Sequence, residues 1–148
     1  MRRRGDRGER RGTPADLLVV GLANPGRDYE GTRHNVGAAA VHLLAERHGA
    51  RLKGIRGVPA SVDEVNVAGR RLALAVPTTY MNESGQAVRP LVRRFGLEDE
   101  LEKLVVVHDE LDLPPGRLKV KVGGGLAGNN GLRSIRDHLH TTDFLRVR

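Results

Sequence analysis

Residues 17–44, LLVVGLANPGRDYEGTRHNVGAAAVHLL, decide the fold of this chain. The run LLVVGLA is apolar throughout and leads into a glycine-rich loop, a pattern typical of a buried strand. The segment after the loop has the i, i+4, i+7, i+8 apolar spacing of an amphipathic helix, and Gly49 suits the C-terminal cap of that helix. The apolar stripe consists of Val36, Ala40, Leu43 and Leu44. The stretch thus predicts a strand, a loop and a helix in succession, which is the unit of an α/β fold.

Strands and helices continue to alternate beyond this unit. Two short strands around Ala68-Gly69 indicate a hairpin. Asn82 can cap the next helix, ESGQAVRPLVRRFG, in which Pro90 predicts a break or kink. Residues 104–107 are a further apolar run and indicate a strand. Apolar and basic residues alternate in RLKVKVG, so one face of this strand is expected to be basic and exposed to solvent. A short helix is predicted for LRSIRDHLH and a last strand for DFLRVR. We therefore expect the α/β class with a mixed sheet.

The composition excludes several classes of function. The 148 residues suffice for one domain with a core, and the absence of cysteine excludes disulfides, thiolate metal sites and a cysteine nucleophile. No apolar run approaches the length of a membrane span, and the N-terminus lacks the apolar segment of a secretory signal, so we expect a cytoplasmic protein. Aromatic residues make up 3% of the chain, so base stacking is not expected to dominate any contact with nucleic acid.

The charge of the chain is strongly basic. The formal net charge is +7, and residues 1–16 contribute six arginines against three acidic residues. Low hydrophobicity and high charge predict that residues 1–16 are a disordered basic tail and that residues 17–148 form the folded domain. A basic balance favours anionic partners, with RNA first among them.

The glycine-rich loop resembles a nucleotide-binding loop only superficially. A Walker loop has Gly-Lys-Ser/Thr after its second glycine region, whereas Gly26 is followed by Arg27-Asp28, and the glycine spacing of a dinucleotide fingerprint is tighter. The chain also has no Gly-x-Ser-x-Gly elbow that would supply a nucleophilic serine. A histidine in a hydrolytic site of this chain would therefore activate water directly.

His34 and Asp109 are the candidates for that chemistry. His34 opens a helix whose N-terminal dipole favours the neutral imidazole that a general base requires, although a lone histidine is more often a surface or capping residue. Asp109 follows an apolar strand, and if that strand lies parallel to the one leading to Asn24, both residues reach the same edge of the sheet. Alternatively, Asp109 belongs to a solvated acidic turn with Glu110 and Asp112. Metal ligation by that cluster ranks low, because no second histidine stands at ligand spacing.

Asn82 and Asn130 each follow a turn and start a helix. The ordinary role at such a position is an N-cap, in which the side-chain oxygen accepts a backbone N–H. The same amides can instead donate to a carbonyl oxygen that gains negative charge, where one donor is worth about 3 kcal/mol in a transition state. The sequence leaves both roles open.

Four motifs follow one another along the chain: GLANPGRDYEGTRHNVG, PTTYMNESG, VVVHDELDLPPG and GGGLAGNNGLRS. Together they resemble the motifs of the bacterial peptidyl-tRNA hydrolase family, and the resemblance covers about residues 17–148. It implies a single α/β domain with a twisted mixed β-sheet flanked by helices. It also implies hydrolysis of the ester that joins peptide to tRNA, which recycles tRNA from stalled or dropped-off translation, without a metal or an organic cofactor. The expected enzyme is a monomer whose partner is peptidyl-tRNA, through the tRNA acceptor end and the nascent peptide.

The resemblance also implies roles for individual residues. His34 would be the general base that activates water, Asp109 would orient it, and Asn24 would help to place the peptide or the water. The residues that would contact the substrate are Tyr29 at the cleft, Met81 and Asn82 on the peptide side, Asn130 at the substrate or its developing oxyanion, and Lys121 and Arg148 at the tRNA phosphates.

The sequence departs from the family in two places. Where the family has Gly-His-Asn-Gly, residues 128–131 are GNNG, so that Asn129 replaces a titratable ring with an amide. Family members also continue past Arg148 with the rest of a strand, a mobile lid and a C-terminal helix, so we expect the C-terminal part of the family fold to be missing. These departures keep two alternatives open: a non-catalytic RNA-binding relative on the same fold, or an inactive fragment.

Overall fold

The computed structural model describes residues 15–23, 35–108, 120–122 and 129–147, with residues 120–122 described by their backbone. The strands in these ranges are β1 (Leu17–Gly21), β2 (Lys53–Ile55), β3 (Val58–Val67), β4 (Arg70–Pro77), β5 (Leu104–Val107), β6 (Val120–Val122) and β7 (Leu145–Val147). The helices are α1 (Val36–Arg47), α2 (Gly85–Arg94) and α3 (Asn130–Leu139), and short 3-10 turns cover Met81–Glu83 and Leu101–Lys103.

The described strands form one mixed sheet in the order β2-β3-β4-β1-β5-β7-β6. β1 lies between β4 and β5 and runs parallel to both, and β7 runs parallel to β5. The pairs β2–β3, β3–β4 and β6–β7 are antiparallel. A central parallel strand is covered on both faces, which is why β1 is apolar without alternation. The predicted α/β class with a mixed sheet is confirmed.

Helices cover both faces of the sheet. On one face, α2 and α3 pack over alternate residues of β1 and β5, namely Leu18, Val20, Leu104 and Val106. On the other face, α1 packs over a second buried cluster that includes Val19, Leu74 and Val76. Full burial of a leucine or valine side chain contributes roughly 1.5–3 kcal/mol. These two clusters therefore fix the helices, and with them the loops that the helices carry, against a rigid sheet.

Helix α1 forms as predicted, but its buried face differs from the predicted stripe. Val36 and Leu43 are each 48% exposed, and Ala40 is exposed as well. The buried residues of the helix are Gly37, Ala38, Val41 and Ala45. The predicted stripe is therefore wrong, apart from the half-buried Leu44, because small residues on the other face let the helix backbone approach the sheet closely.

Gly37 lies where α1 comes closest to the sheet. A Cβ atom at Gly37 would overlap the carbonyl oxygen of Val107 and would lie 3.0 Å from both Leu22 N and Leu22 O. A Cβ atom at Gly21 would in turn overlap the carbonyl group of Gly37. The two glycines thus allow the first turn of α1 to sit directly on the carboxyl ends of β1 and β5.

The C-terminus of α1 confirms the predicted role of Gly49. This glycine has a φ of 74°, and its N–H donates to Glu46 O over 3.1 Å. The N–H of Ala50 donates to Ala45 O over 2.9 Å, which completes a Schellman motif. The positive φ that this motif requires costs glycine nothing, so the sequence determines where the helix stops.

The hairpin is confirmed as β3 and β4, joined by Ala68 and Gly69, whose positive φ angles suit a type I′ turn. Of the break or kink predicted at Pro90, the break is wrong, because α2 runs through it, and the kink stays a prediction. A proline leaves the carbonyl of residue i−4 without its helical partner. That carbonyl belongs to Gln86, an exposed residue, so water can replace the missing helical hydrogen bond.

Ala15 and Asp16 join the fold, although the sequence analysis assigned them to the basic tail. Ala15 is 1% exposed, and its N–H donates to Phe95 O over 3.3 Å. The N–H of Asp16 donates to Arg71 O over 2.8 Å, and Asp16 Oδ2 accepts the N–H of Arg71 over 2.7 Å. The two bonds between Asp16 and Arg71 extend the pairing of β1 with β4, and the predicted bounds of the tail and the domain stay a prediction. Residues 1–14 lie outside the described part of the chain.

Replacing Gly37 tests how closely α1 must approach the sheet. A backbone oxygen cannot rotate aside, so we expect Gly37→Ala to lower the free energy of unfolding by about 3 kcal/mol. This outweighs the roughly 1 kcal/mol of helix propensity that alanine gains. Gly54→Ala is the control, because a Cβ atom there would meet nothing within 4 Å. Urea unfolding followed by circular dichroism measures both variants, and equal midpoints would contradict the close approach.

Candidate active site

The carboxyl ends of β1, β4 and β5 lie at one edge of the sheet because the three strands are parallel neighbours. Leu22 N–H, just beyond β1, donates to Val107 O over 3.0 Å. His108, just beyond β5, is buried, and its N–H donates to Val147 O over 3.0 Å. The first turn of α1 sits on the same edge through Gly37. Ligand sites of open α/β sheets gather at such an edge.

Several predicted site residues lie outside the described part of the chain. These are Asn24, Tyr29, His34, Asp109 and Arg148. Lys121 lies in β6, whose backbone pairs antiparallel with β7 so that Lys121 stands opposite Arg146. Met81, Asn82 and Asn130 lie in described segments, and their surroundings define the site as far as the structure describes it.

Met81 and Asn82 lie in the 3-10 turn that follows β4. The turn is held by the N–H of Glu83, which donates to Tyr80 O over 2.9 Å, and by Ser84 Oγ, which donates to Met81 O over 2.7 Å. Ser84 is fully buried, whereas Asn82 is exposed. The buried hydroxyl therefore fixes the backbone of a turn whose amide side chain faces solvent.

Helix α3 holds this turn from the side. The N–H of Gly85 donates to Ser134 Oγ over 2.8 Å in a buried bond. His138 Nδ1 lies 2.8 Å from Ser134 O and donates to it, since a carbonyl oxygen can only accept. A Cβ atom at Gly131 would lie 2.8 Å from Met81 Sδ, so the N-terminus of α3 touches the methionine.

Neither Asn82 nor Asn130 is a helix cap, which corrects the ordinary role considered for both. Ser84 occupies the N-cap position of α2. Asn129 occupies that of α3, and its Oδ1 accepts the N–H of Leu132 over 2.9 Å. Each cap position is thus taken by another residue, because α2 begins two residues later, and α3 one residue earlier, than the sequence pattern indicated.

The amides of Asn82 and Asn130 are left for another role. Both residues are exposed, and neither side chain hydrogen-bonds to any other residue in the described ranges. They lie on elements that touch through Met81 and Gly131. The contact of Met81 with Gly131 thus places Asn82 and Asn130 on two touching elements, with both residues open to solvent.

The sequence analysis missed residues that build this site. Tyr80 is 64% exposed beside Met81, which leaves its ring accessible at the edge of the turn. The hydroxyls of Ser84 and Ser134 make the hydrogen bonds that hold the 3-10 turn. Serine is common in loops and helices, so the sequence pattern does not indicate this role. The buried His108 could have been singled out, since it follows an apolar strand directly.

The described residues include neither a metal-binding cluster nor a membrane-spanning helix. Across the described residues, no three His, Cys, Asp or Glu side chains gather as metal ligands would. Among the same residues, no helix has the length and apolarity needed to cross a bilayer. The pKa of Lys103 is raised, chiefly because its ammonium donates to the Glu100 carboxylate over 2.7 Å, but this exposed pair lies where the chain enters β5, at the opposite end of that strand from His108.

Fold and site together define an α/β protein whose polar groups gather at the carboxyl edge of a mixed sheet. A family model described as peptidyl-tRNA hydrolase matches residues 18–148. The peptidyl-tRNA hydrolases of Mycobacterium sp. (strain KMS) and Mycobacterium tuberculosis are 49% and 48% identical over 132 residues, or 89% of this chain and 68% of each relative. The crystal structure of peptidyl-tRNA hydrolase from Acinetobacter baumannii is similar with a TM-score of 0.84 and 39% identity, covering 93% of this chain and 69% of that one.

The chain therefore belongs to the peptidyl-tRNA hydrolase family. The predicted family, the fold and the hydrolase activity of the family are confirmed. The comparisons give no support to the alternative of a non-catalytic relative or an inactive fragment.

Removing the hydroxyl of Ser134 tests the bond that joins the turn to α3. Ser134→Ala leaves the buried N–H of Gly85 without its acceptor, which costs about 1–3 kcal/mol of unfolding free energy. The control is Ser61→Ala on β3, whose hydroxyl bonds to no other described residue and whose loss we expect to cost under about 0.5 kcal/mol. Chemical denaturation of both variants measures the difference. A Ser134→Ala protein as stable as the control would show that the bond does not hold the turn.

Proposed function

We propose that this chain hydrolyses the ester between the peptide and the 3′ end of tRNA, with water activated by His34. The observation that carries the proposal is the convergence of three segments at one edge of the sheet. Gly131 at the start of α3 touches Leu22 just after β1 and Met81 after β4. Loops that meet in this way can surround a single ester.

The positions of the described residues next to Asn24, His34 and Asp109 support the catalytic roles proposed for these three. Each candidate adjoins a described residue: Asn24 follows Ala23, His34 precedes Asn35, and Asp109 follows His108. Ala23 and His108 extend β1 and β5, which pair at this edge, and Asn35 precedes the first turn of α1, which sits on it. The described neighbours of all three candidates therefore lie at one edge of the sheet.

The chemistry needs a base, an orienting group and no cofactor. A neutral imidazole of His34 takes a proton from water as the water oxygen attacks the ester carbonyl. The carboxylate of Asp109 orients the ring and stabilises its protonated form. The tetrahedral intermediate then loses the ribose oxygen of the tRNA, which takes the proton from the imidazolium. Asn24 helps to position the peptide or the water.

Asn82 and Asn130 are suited to bind the charge that develops on the carbonyl oxygen. Both amides are exposed and unused by the described fold, so their N–H groups can donate to an oxyanion without breaking a structural bond. A preorganised donor of this kind contributes about 2.7–4 kcal/mol. Met81 supplies apolar contact for the peptide, and the exposed ring of Tyr80 adds surface beside it.

The remaining substrate contacts are those implied by the family resemblance. Tyr29 would lie at the cleft, and Lys121 and Arg148 would bind tRNA phosphates. The antiparallel pairing of β6 with β7 supports a common location for the last two, since β6 carries Lys121 and β7 leads to Arg148. Action as a monomer in the cytoplasm completes the proposal.

Replacement of His34 tests the base directly. Because general base catalysis contributes typically about 10²–10⁴-fold, we expect His34→Ala to lower kcat on an N-acetylated aminoacyl-tRNA by that factor. His42→Ala is the control, since His42 is an exposed histidine on α1. Ester release and a thermal melt are measured for both variants. Unchanged turnover by a folded His34→Ala protein would refute the role.

The adjacent residues Asn129 and Asn130 allow a matched comparison of a helix-capping amide with an amide that binds the substrate. Asn130→Ala removes a donor to the oxyanion, so we expect kcat to fall about 10²–10³-fold with stability unchanged. Asn129→Ala removes a cap, so we expect a loss of about 1 kcal/mol in stability with a much smaller effect on kcat. Ester release and urea unfolding are compared for the pair. The opposite pattern, with Asn129 controlling turnover and Asn130 stability, would overturn the assignment of the two amides.

A further inference from the structure

Helices α2 and α3 carry a large positive charge. Together they hold five arginines and one aspartate, a net +4. Helix α1, on the other face of the sheet, holds one acidic and one basic residue and is neutral. The two helical layers therefore differ in charge, and the layer of α2 and α3 is the basic one.

The arginines of this layer are on its outer surface. They are Arg89, Arg93, Arg94, Arg133 and Arg136, and all five are exposed. Helices α2 and α3 bury their opposite faces in the same cluster, so their outer faces point away from the sheet on the same side. Arg136 pairs with Asp137 over 2.9 Å, whereas the other four form no ion pair with an acid in the described ranges.

Local structure does not explain two of these charges. Arg89 lies in the middle of α2 and one turn before Arg93, and like charges four residues apart destabilise a helix. Arg133 lies near the N-terminus of α3, where the helix dipole disfavours a cation. Exposed helical surfaces of folded proteins usually mix both signs, yet α2 contains no acidic residue. An anionic partner would offset these unfavourable placements.

We propose that the outer faces of α2 and α3 bind the sugar-phosphate backbone of the substrate tRNA, away from its 3′ end. This inference rests on the proposed function, which brings the 3′ end to Asn130. Asn130 and Arg133 are neighbours one turn apart on the exposed side of α3, so the basic surface begins at the site. From there the arginines of α2 continue the surface. Guanidinium groups bind phosphate bidentately and remain charged at any physiological pH.

Two triple variants with equal net charge test the proposal. The first is Arg89→Gln with Arg93→Gln and Arg133→Gln, and the second, the control, is Arg47→Gln with Arg51→Gln and Arg56→Gln. All six residues are exposed, and glutamine keeps a good helix propensity, so both proteins are expected to fold as the parent does. Thermal melts confirm this before any binding is measured.

Binding of deacylated tRNA is titrated at several salt concentrations, and hydrolysis is measured on two substrates. One substrate is an N-acetylated aminoacyl-tRNA, and the other is the N-acetylated aminoacyl ester of adenosine, which has no phosphate. For the first variant we expect a Kd for tRNA raised about 10-fold or more and a salt slope reduced by about 2–3, one for each lost phosphate contact. The KM for the tRNA ester rises in parallel, while hydrolysis of the adenosine ester is unchanged. The control variant stays within about twofold of the parent.

Each other outcome contradicts either this inference or the proposed function, but not both. If the two triple variants bind tRNA equally, the docking surface is wrong and the arginines serve another anionic partner, while the hydrolase stands. If the first variant loses activity on the adenosine ester as much as on the tRNA ester, the arginines act through the reacting site, and docking is again refuted. If the parent cleaves neither ester, the proposed function fails, and the tRNA titration alone still decides whether the basic surface binds.

Discussion

A single buried hydrogen bond, from Gly85 N–H to Ser134 Oγ over 2.8 Å, joins the two helices on one face of the sheet. It adds a directional constraint to the hydrophobic cluster that holds both helices against the sheet. The bond lies directly after the turn that carries Met81 and Asn82, and within the helix that begins at Asn130. It links the first residue of α2 to α3 and so helps to hold the turn against the N-terminal half of α3. A preorganised pair of donors needs a constraint of this kind.

Much of the fold follows from local sequence. β1 and β5 are unbroken apolar runs because parallel strands are buried on both faces, and both were predicted within a residue or two of their bounds. Gly49 marks the end of α1, since its positive φ is one that other residues rarely adopt. The parallel pairing of β1 with β5, on which the predicted edge site rests, is also present. The family resemblance then added residue roles that spacing alone could not provide.

The buried face of α1 and the first residue of α2 were harder to predict, because both depend on contacts between residues distant in sequence. The apolar stripe of α1 suggested Val36 and Leu43 as core, but the helix turns Gly37 to the sheet because Gly21 leaves room for its backbone. The asparagine caps were wrong for a similar reason. Helix α2 starts after Ser84, where the N–H of Gly85 bonds to Ser134, and a 3-10 turn takes up the residues before it. No periodicity in the sequence reports such a contact.

The central claim is that the 3-10 turn and the N-terminus of α3 bind one substrate together. An NMR titration with a hydrolysis-resistant, amide-linked N-acetylated aminoacyl-adenosine tests it most directly. We expect the backbone amide signals of Met81, Asn82 and Asn130 to shift with one common Kd, while those of the exposed face of α1 stay in place. Shifts confined to one of the two elements, or different Kd values for them, would show that the turn and α3 do not bind one substrate together.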